Sequence, residues 1–370
     1  MTTRKTIDTD KADGGVVGTR APGQDPVEAF EQLLERVRRD VDARLAGYLD
    51  ARVAETARHG ADVEAMASAV RDLTLRGGKR IRPALLVVGF LAADDTQSPE
   101  AALDAGVALE LLQTYLLVHD DWMDGDDMRR GGPSVPAMMR KHHGTSQQAD
   151  AASILAGDYA SALAMDVLSR LDTQSDRLLK VLGLFAQIEQ DVICGQQLDV
   201  SGQVGEVESY YALKTGSYTV RGPLVLGATL AAAQPQIMAA LEEYGAPLGI
   251  AFQMQDDLLG TFGDTKRTGK PVGEDLRRGK HTIISHEARK ILSSAEIRKF
   301  ERVFGNANAT AQAIRDVTQM LEDKGVLKAV VKRIDQLANQ AVSALVDVPI
   351  SDYGRTWLLG AASIIAARLD

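Results

Sequence analysis

Cysteine is nearly absent from this sequence, which has a single one, Cys194, in 370 residues. One cysteine excludes a disulfide within the chain and a zinc site built from several cysteines. A chain of this length buries roughly three quarters of the surface that its unfolded form exposes, so it needs no such cross-link. We therefore expect a globular protein that is held together by its apolar core.

Long apolar runs and an excess of positive charge are also missing. No uninterrupted apolar run approaches the roughly 18 residues that cross a bilayer, and no early segment has the pattern of a signal peptide. We therefore expect a cytoplasmic protein without a transmembrane segment. Lys and Arg number 42 against 51 Asp and Glu, a net charge of −9. This balance argues against nucleic acid as the main partner, since binding to phosphate backbones needs a basic face.

Aromatic residues make up only 5% of the chain, and apolar residues do not alternate with polar ones as they do in strands. Apolar residues instead recur at helical spacing, with Gly and Pro between the runs. Helix starts are predicted at Asp25-Pro26, at Ser98-Pro99 before a segment that reaches Asp124, and at Ser293, which forms a capping-box pattern with Glu296. These signals predict an all-α bundle of about ten or more helices.

The domain organisation follows from where this helical spacing begins. Residues 1–24 are polar and aperiodic, and we predict a disordered N-terminal tail there. Residues 25–370 are predicted to form one all-α domain.

The first candidate site is an acidic cluster at the end of an apolar helix. Asp120 and Asp124 are four residues apart, so on a helix their carboxylates lie about 5–6 Å from each other, with Asp121 beside them. Like charges at this spacing repel, and carboxylates at a helix C terminus oppose the helix dipole. A cation must compensate, and hard oxygen ligands suit Mg²⁺.

A second acidic cluster, Asp256 and Asp257, also lies near the end of an apolar helical run. Gly260 and Asp264 continue the helical face of Asp256, so Asp264 is a candidate for a third carboxylate. A glycine-rich basic stretch follows, which is suited to closing over phosphates. Either cluster alone is as consistent with a solvated acidic helix end. Two such clusters, each followed by a basic glycine loop, favour a shared site.

The order of these motifs resembles the trans-isoprenyl diphosphate synthases, the polyprenyl synthetase family. The motifs are GGKRIRP at 77–83, DDxxD at 120–124, RRG at 129–131 and FQxxDD at 252–257. The resemblance spans roughly residues 70 to 285. It implies an isoprenoid-synthase-type helical bundle around a central cavity, in which the two aspartate motifs face each other.

The resemblance further implies a prenyltransferase that joins isopentenyl diphosphate to an allylic diphosphate by ionisation, condensation and elimination. Asp120 and Asp124 would hold two Mg²⁺ ions and Asp256 a third, with Asp121 and Asp257 in support. Three divalent ions would stabilise the charge that develops on the departing diphosphate.

Family positions also assign basic and polar side chains to the substrates. The allylic diphosphate would contact Arg129, Lys214, Thr215 and Lys270, with Gln253 and Lys280 close by, whereas isopentenyl diphosphate would contact Lys79, Arg82, Arg130 and Gln113. The last of these takes the place of a histidine found in many members. Gln196 and Asp199 would lie near the developing allylic cation, with helix capping as the alternative for Asp199. No histidine stands out as the base, and in this family the released diphosphate is the usual candidate.

Product length is predicted from positions on the first aspartate helix. Leu116 and then Leu112 lie one and two turns before Asp120, with Tyr115 close by. A bulky side chain below the metal site would act as a floor for the growing chain. We therefore expect geranylgeranyl diphosphate as the main product, and farnesyl diphosphate as the alternative.

Other functions use fewer of these motifs. A phosphohydrolase built on His119-Asp120 would leave the second cluster unused, and a terpene cyclase would not need Lys79 and Arg82. A non-catalytic regulatory subunit would be expected to lack one of the aspartate motifs. Because apolar helices would leave flat faces to cover, and because the family is usually homodimeric, we expect a homodimer.

Overall fold

Nearly the whole of the described chain is helical. The computed structural model describes residues 25–202, 205–263 and 273–367. The predicted tail 1–24, Asp264 and Lys270 lie outside the described residues. The helices are α1 (Pro26–Thr56), α2 (Ala61–Leu75), α3 (Ile81–Ala93), α4 (Glu100–Asp124), α5 (Val135–His142), α6 (Ser146–Ser169), α7 (Ser175–Ser201), α8 (Val207–Tyr211), α9 (Gly222–Leu230), α10 (Pro235–Phe262), α11 (Glu274–Arg278), α12 (Ile283–Ile291), α13 (Ser294–Glu301), α14 (Ala311–Asp323), α15 (Val326–Ser343) and α16 (Asp352–Ala366).

Three further elements connect these helices. A 3₁₀ turn covers Ala57–His59, and a π-helix covers Ala212–Arg221 between α8 and α9. Strands β1 (Met128–Arg129) and β2 (Gly132–Pro133) pair in antiparallel fashion. Within the described residues these two short strands are the whole sheet content, so the prediction of an all-α bundle is confirmed.

Two of the three predicted helix starts, at Asp25 and Ser293, are confirmed by their side-chain caps. The Asp25 side chain accepts hydrogen bonds from the backbone N–H groups of Val27 and Glu28, with Pro26 as the first residue of α1. Ser293 and Glu296 form the reciprocal capping box of α13. Helix α4 begins directly after Pro99 and ends at Asp124 as predicted, because Gly125 takes up the left-handed conformation, with φ 68°.

The apolar side chains of the described residues form three buried clusters. The main one joins α1, α3, α4, α9, α16 and the first half of α10. The second lies under α12–α15 and includes the last part of α10. The third packs α2, α5 and α6 against the end of α4. Helices α4 and α10 therefore each end at a boundary between two clusters, and both carry their acidic residues there.

Two glycines allow α3 and α9 to cross with their backbones in contact. A Cβ atom on Gly227 would lie 1.9 Å from the carbonyl oxygen of Leu86, and one on Gly89 would lie 2.1 Å from that of Leu224. No side chain fits at either position, so these glycines set the distance between the two helices.

Two helices, α4 and α6, are long and apolar enough to cross a membrane by length and composition alone. In α4, 72% of the apolar window is buried inside the protein, and in α6 the share is 44%. The apolar character of α4 therefore has a structural explanation, which is its place in the main core.

Candidate active site

The last turn of α4 carries the first acidic cluster. The Asp121 side chain is completely buried, whereas about a quarter of the Asp120 and Asp124 side chains is exposed, 28% and 27%. Asp121 lies one helical turn after Val118, a buried residue of the third apolar cluster, whereas Asp120 and Asp124 share a neighbouring face of the helix. Asp120 and Asp124 are thus the accessible carboxylates of this cluster.

Arg129 on β1 supplies the positive charge that this cluster requires. Its Nε atom donates to Oδ1 of Asp121 at 2.7 Å, and its Nη2 atom lies 3.3 Å from Oδ2 of Asp120 and 3.6 Å from Oδ2 of Asp126. Burial raises the pKa of Asp121 to about 6, against the opposing effect of the Arg129 hydrogen bond and charge. Asp121 therefore anchors the arginine and is not free to face a ligand.

Two cations cross to the first cluster from the other half of the chain. Arg278, the last residue of α11, lies 3.5 Å from Oδ2 of Asp124 and 2.5 Å from Oδ1 of Asp126. The Nζ atom of Lys280 lies 3.6 Å from Oδ2 of Asp124. Burial opposes the charge of Lys280, but neighbouring carboxylates, Asp275 and then Asp124, raise its pKa above the usual value. Arg278 was not among the predicted site residues, although it lies only two residues before Lys280.

The second cluster lies near the end of α10, and it too combines an exposed aspartate with a buried one. Asp256 is exposed, whereas Asp257 is buried and accepts hydrogen bonds from the Tyr211 hydroxyl and, at 2.8 Å, from Nε2 of Gln253. Burial raises the pKa of Asp257 to about 7, although both hydrogen bonds oppose the shift. Tyr211 in turn accepts a hydrogen bond from the Ile283 backbone at 2.7 Å. Tyr211 was not among the predicted site residues.

The space beside Gly260 is filled by another acidic residue. Helix α10 ends at Phe262. A Cβ atom on Gly260 would lie only 2.0 Å from Oδ2 of Asp275. The carboxylate of Asp275, on α11, therefore packs directly against the backbone of Gly260.

The π-helix brings Lys214 and Thr215 to α7 and α10. Lys214 forms an ion pair with Asp199 and lies over the ring of Tyr210, with Nζ 5.9 Å from its centre. Burial opposes ionisation of Asp199, but the charge and hydrogen bond of Lys214 outweigh it and lower the pKa of Asp199. The Asp199 side chain thus forms an ion pair with a lysine and lies within α7, so it does not act as a helix cap. The Thr215 hydroxyl donates to Oε1 of Gln253 at 2.5 Å.

A cavity of about 320 Å³ joins these elements. Gln196 on α7 donates to Oδ1 of Asp120 at 3.2 Å, and both residues line the cavity together with Lys214, Thr215 and Gln253. An adjoining opening of about 760 Å³ is lined by Asp124, Asp199, Arg278 and Lys280. Met123 and Val200 line both spaces, so Asp120, Lys214 and Lys280, which come from distant parts of the sequence, border adjoining space. Asp256 is not among the described residues that line either one.

Two of the three residues predicted to form the floor line this cavity, and the third does not. Tyr115 and Leu116 line it, with Tyr115 half-buried beside His119 at 4.8 Å between ring centres. Leu112 is fully buried in the main core, and within the described residues the α4 lining of the cavity stops one turn above it. Nε2 of His119 lies 3.0 Å from the Ile154 carbonyl oxygen on α6.

The residues predicted for isopentenyl diphosphate come from three parts of the fold: Lys79 and Arg82 at the start of α3, Arg130 between β1 and β2, and Gln113 on α4. Arg82 donates to Thr219 at 2.9 Å and stacks over Tyr218, with 4.4 Å from its guanidinium carbon to the ring centre. Tyr218 lines the cavity, so Arg82 reaches its wall. Gln113 is 7% exposed, and its Oε1 atom is buried without a hydrogen-bond partner among the described residues. Lys79 is exposed. Burial lowers the pKa of the Arg130 guanidinium.

The carboxylates fit the Mg²⁺ that the motifs imply. Asp120 and Asp124 offer hard oxygen atoms at a partly open surface, where cationic side chains already lie at 3.3–3.6 Å. Asp256, near the end of α10, offers another exposed carboxylate. The donor set contains oxygen alone, as Mg²⁺ prefers.

Comparisons with a protein-family model and with individual relatives point to the same family. The polyprenyl synthetase family model matches residues 63–321. A short chain isoprenyl diphosphate synthase of Methanocaldococcus jannaschii is 35% identical over 265 residues, 69% of this chain and 76% of that protein. A geranylgeranyl diphosphate synthase of Methanosarcina mazei is 33% identical over 76% of this chain and 81% of its own length.

A solved structure agrees with these relatives in fold. The geranylgeranyl pyrophosphate synthase of Corynebacterium glutamicum, solved in complex with isoprenyl diphosphate and magnesium, superposes with a TM-score of 0.81 and 34% identity. The superposition covers 92% of this chain and 99% of that one. The chain therefore belongs to the polyprenyl synthetase family and is a trans-prenyltransferase.

Proposed function

We propose that this enzyme condenses isopentenyl diphosphate with an allylic diphosphate and that its main product is geranylgeranyl diphosphate. The observation that carries the proposal is the cavity that begins at Asp120 and contains Tyr115 and Leu116. It offers a charged mouth for a diphosphate and an apolar interior for a prenyl chain. Relatives named geranylgeranyl diphosphate synthase support this product, and farnesyl diphosphate is the alternative.

The metal site of this proposal uses three Mg²⁺ ions, with Asp120 and Asp124 as ligands of two and Asp256 as ligand of the third. When bound, the ions neutralise charge on the departing diphosphate. Asp121 and Asp257 hold their neighbours in place from within the core, because each is buried and hydrogen-bonded. Arg129, Arg278 and Lys280 pair with Asp120 and Asp124 here, and they would be available to phosphate oxygens where metal ions held these carboxylates.

The residues around the cavity stabilise the allylic cation in this scheme. Lys214 binds the allylic diphosphate, with Thr215 and Gln253 beside it, and Lys270 binds the same group. Gln196 and Asp199 direct an amide oxygen and a carboxylate towards the cation, where such dipoles stabilise positive charge. Lys79, Arg82, Arg130 and Gln113 bind isopentenyl diphosphate. The released diphosphate accepts the proton that leaves after coupling.

The assembly and location belong to the same proposal. Helices α6 and α7 expose Leu155 and Leu179 at 56% and 71%, and Ile154 and Met165 lie on α6 as well. A second copy of this chain would cover these apolar side chains, which supports a homodimer. A cytoplasmic location is in keeping with the burial of α4 in the protein's own core.

Product analysis tests the proposal directly. The purified chain is incubated with Mg²⁺, radiolabelled isopentenyl diphosphate and, in separate reactions, the C5, C10 or C15 allylic diphosphate. We expect all three primers to be extended to a C20 product. A C15 end point would favour the farnesyl alternative, and no labelled product from any primer would contradict the catalytic assignment in favour of a regulatory subunit.

A further inference from the structure

Arg80, at the start of α3, combines a strained backbone with a completely buried charge. It has φ 52° and ψ 36°, the left-handed region that residues other than glycine rarely adopt. Its side chain has no exposed surface. A strained conformation persists only where the surroundings fix it, and such residues cluster at functional sites.

Three acceptors from three different helices hold the guanidinium of Arg80. Its Nε atom donates to Asp42 on α1 at 2.8 Å, and its Nη2 atom donates to the Thr74 carbonyl oxygen on α2 at 2.9 Å. Its Nη1 atom forms an ion pair with Glu110 on α4, which is itself buried. Only an arginine presents donors in a planar fork of this reach, so lysine cannot make all three contacts.

A second arginine with a strained backbone meets Arg80 at Gly78. Arg130, between β1 and β2, has φ 51°. Within the described residues, four non-glycine residues have positive φ, and Arg80 and Arg130 are two of them. A Cβ atom on Gly78 would lie 3.4 Å from Nη2 of Arg130 and 3.8 Å from Nη1 of Arg80. Both guanidinium groups therefore converge on the glycine that precedes Lys79.

We propose that Arg80 is a positioning residue for isopentenyl diphosphate. Arg80 links the turn before α3 to α1, α2 and α4. It thereby fixes the positions of Lys79 and Arg82, and it holds Gly78 rigidly against the guanidinium of Arg130. Arg80 does not touch the substrate, since its own charge is engaged by Asp42 and Glu110. This inference rests on the proposed function, which places isopentenyl diphosphate at Lys79, Arg82 and Arg130.

The test compares KM for the two substrates in a double variant, Arg80→Gly with Glu110→Gln. Glycine accepts the left-handed backbone, and glutamine avoids leaving a buried carboxylate without its partner. Circular dichroism and a melting curve establish that the variant is folded. We expect KM for isopentenyl diphosphate to rise roughly 10-fold or more, while KM for the allylic diphosphate changes less than about 2-fold, because bidentate contacts require fixed geometry.

Two matched controls isolate the effect. Arg44→Gln removes an arginine that also bridges α1 to two acids of α4, Glu100 and Asp104, at the surface. Ala232→Gly relaxes a positive φ of 54° elsewhere. We expect both variants to keep the wild-type KM for either substrate.

Each outcome decides the question. A parallel rise of both KM values, or no rise, overturns the proposal. If the double variant does not fold, R80K gives the answer: a selective rise in KM for isopentenyl diphosphate supports the positioning role, and wild-type values contradict it. Wild-type enzyme that binds no isopentenyl diphosphate would instead refute the proposed function, independently of Arg80.

Discussion

At the scale of single residues, the site uses its aspartates in two ways. Asp121 and Asp257 each follow an exposed partner in the sequence, and each is buried against a donor, Arg129 or Tyr211. Asp120 and Asp256 remain accessible. Each pair of adjacent aspartates thus presents one accessible carboxylate and one buried carboxylate that accepts a hydrogen bond, since successive positions on a helix face different directions.

The pH dependence of stability tests the burial of Asp257. Its pKa is raised to about 7 in the folded protein, above an unfolded value of about 3.9. The folded state therefore holds a proton that the unfolded state has lost between about pH 4 and pH 7, and stability falls as the pH rises through this window. We expect wild type to lose about 3 kcal/mol relative to Asp257→Asn over this range.

Denaturant titrations without divalent ions, at several pH values, measure this difference. Asp127→Asn is the matched control, because Asp127 is exposed and pairs with Arg140 at the surface. Parallel stability curves for wild type and the Asp257 variant would show that Asp257 is not buried as described.

Product length tests the role of Tyr115. Replacement by alanine removes the aromatic ring from the cavity wall, so the growing chain can pass further between the helices, and we expect products longer than C20. Leu112→Ala is the contrasting variant, since Leu112 lies in the core below the lining. We expect it to cost about 2–5 kcal/mol of stability and to leave chain length unchanged. Reversed-phase chromatography of the products distinguishes these results, and unchanged lengths in the Tyr115 variant would refute the floor.

At the scale of elements, the site depends on a close approach of α7 to the π-helix. A Cβ atom on Gly195 would lie 2.5 Å from the backbone nitrogen of Lys214. Lys214 and Thr215 reach the cavity because α7 offers no side chain at this point. The wider backbone of the π-helix is frequently found at functional sites.

Gly195→Ala should therefore separate the two elements. We expect a loss of about 1–3 kcal/mol of stability and a large fall in kcat, because Lys214 moves away from the allylic diphosphate. Gly183→Ala, on the same helix with open space around it, should be neutral or stabilising by up to about 1 kcal/mol. Melting curves and steady-state kinetics measure both variants. Equal behaviour of the two would contradict the close approach.

Local signals in the sequence were enough to predict the helices and the accessible aspartates. The cap at Asp25, the capping box at Ser293 and the spacing of Asp120 and Asp124 each depend on residues within a few positions of one another. The contact of Arg278 with Asp124 and the approach of Asp275 to Gly260 depend instead on how α11 packs. Such packing leaves no periodic trace in the sequence, so these contacts were missed.

At the scale of the whole molecule, the two aspartate helices share one design. Helices α4 and α10 run through buried clusters and end where two of these clusters meet, so each presents acidic residues at a boundary in the core. Gln196 reaches Asp120, and Gln253 faces the same cavity from α10. The carboxylates at these helix ends are already paired in part with Arg129, Arg278 and Lys280.

A melting experiment with Mg²⁺ and inorganic pyrophosphate tests this shared site most directly. Since neither ligand alone neutralises both clusters, we expect the two together to raise Tm by roughly 5 °C or more, well beyond the sum of their separate effects. Asp120→Asn and Asp256→Asn should each abolish this synergy, and Asp127→Asn should retain it. Additive shifts in the wild type, or synergy that survives in both aspartate variants, would contradict a metal-bound diphosphate held between α4 and α10.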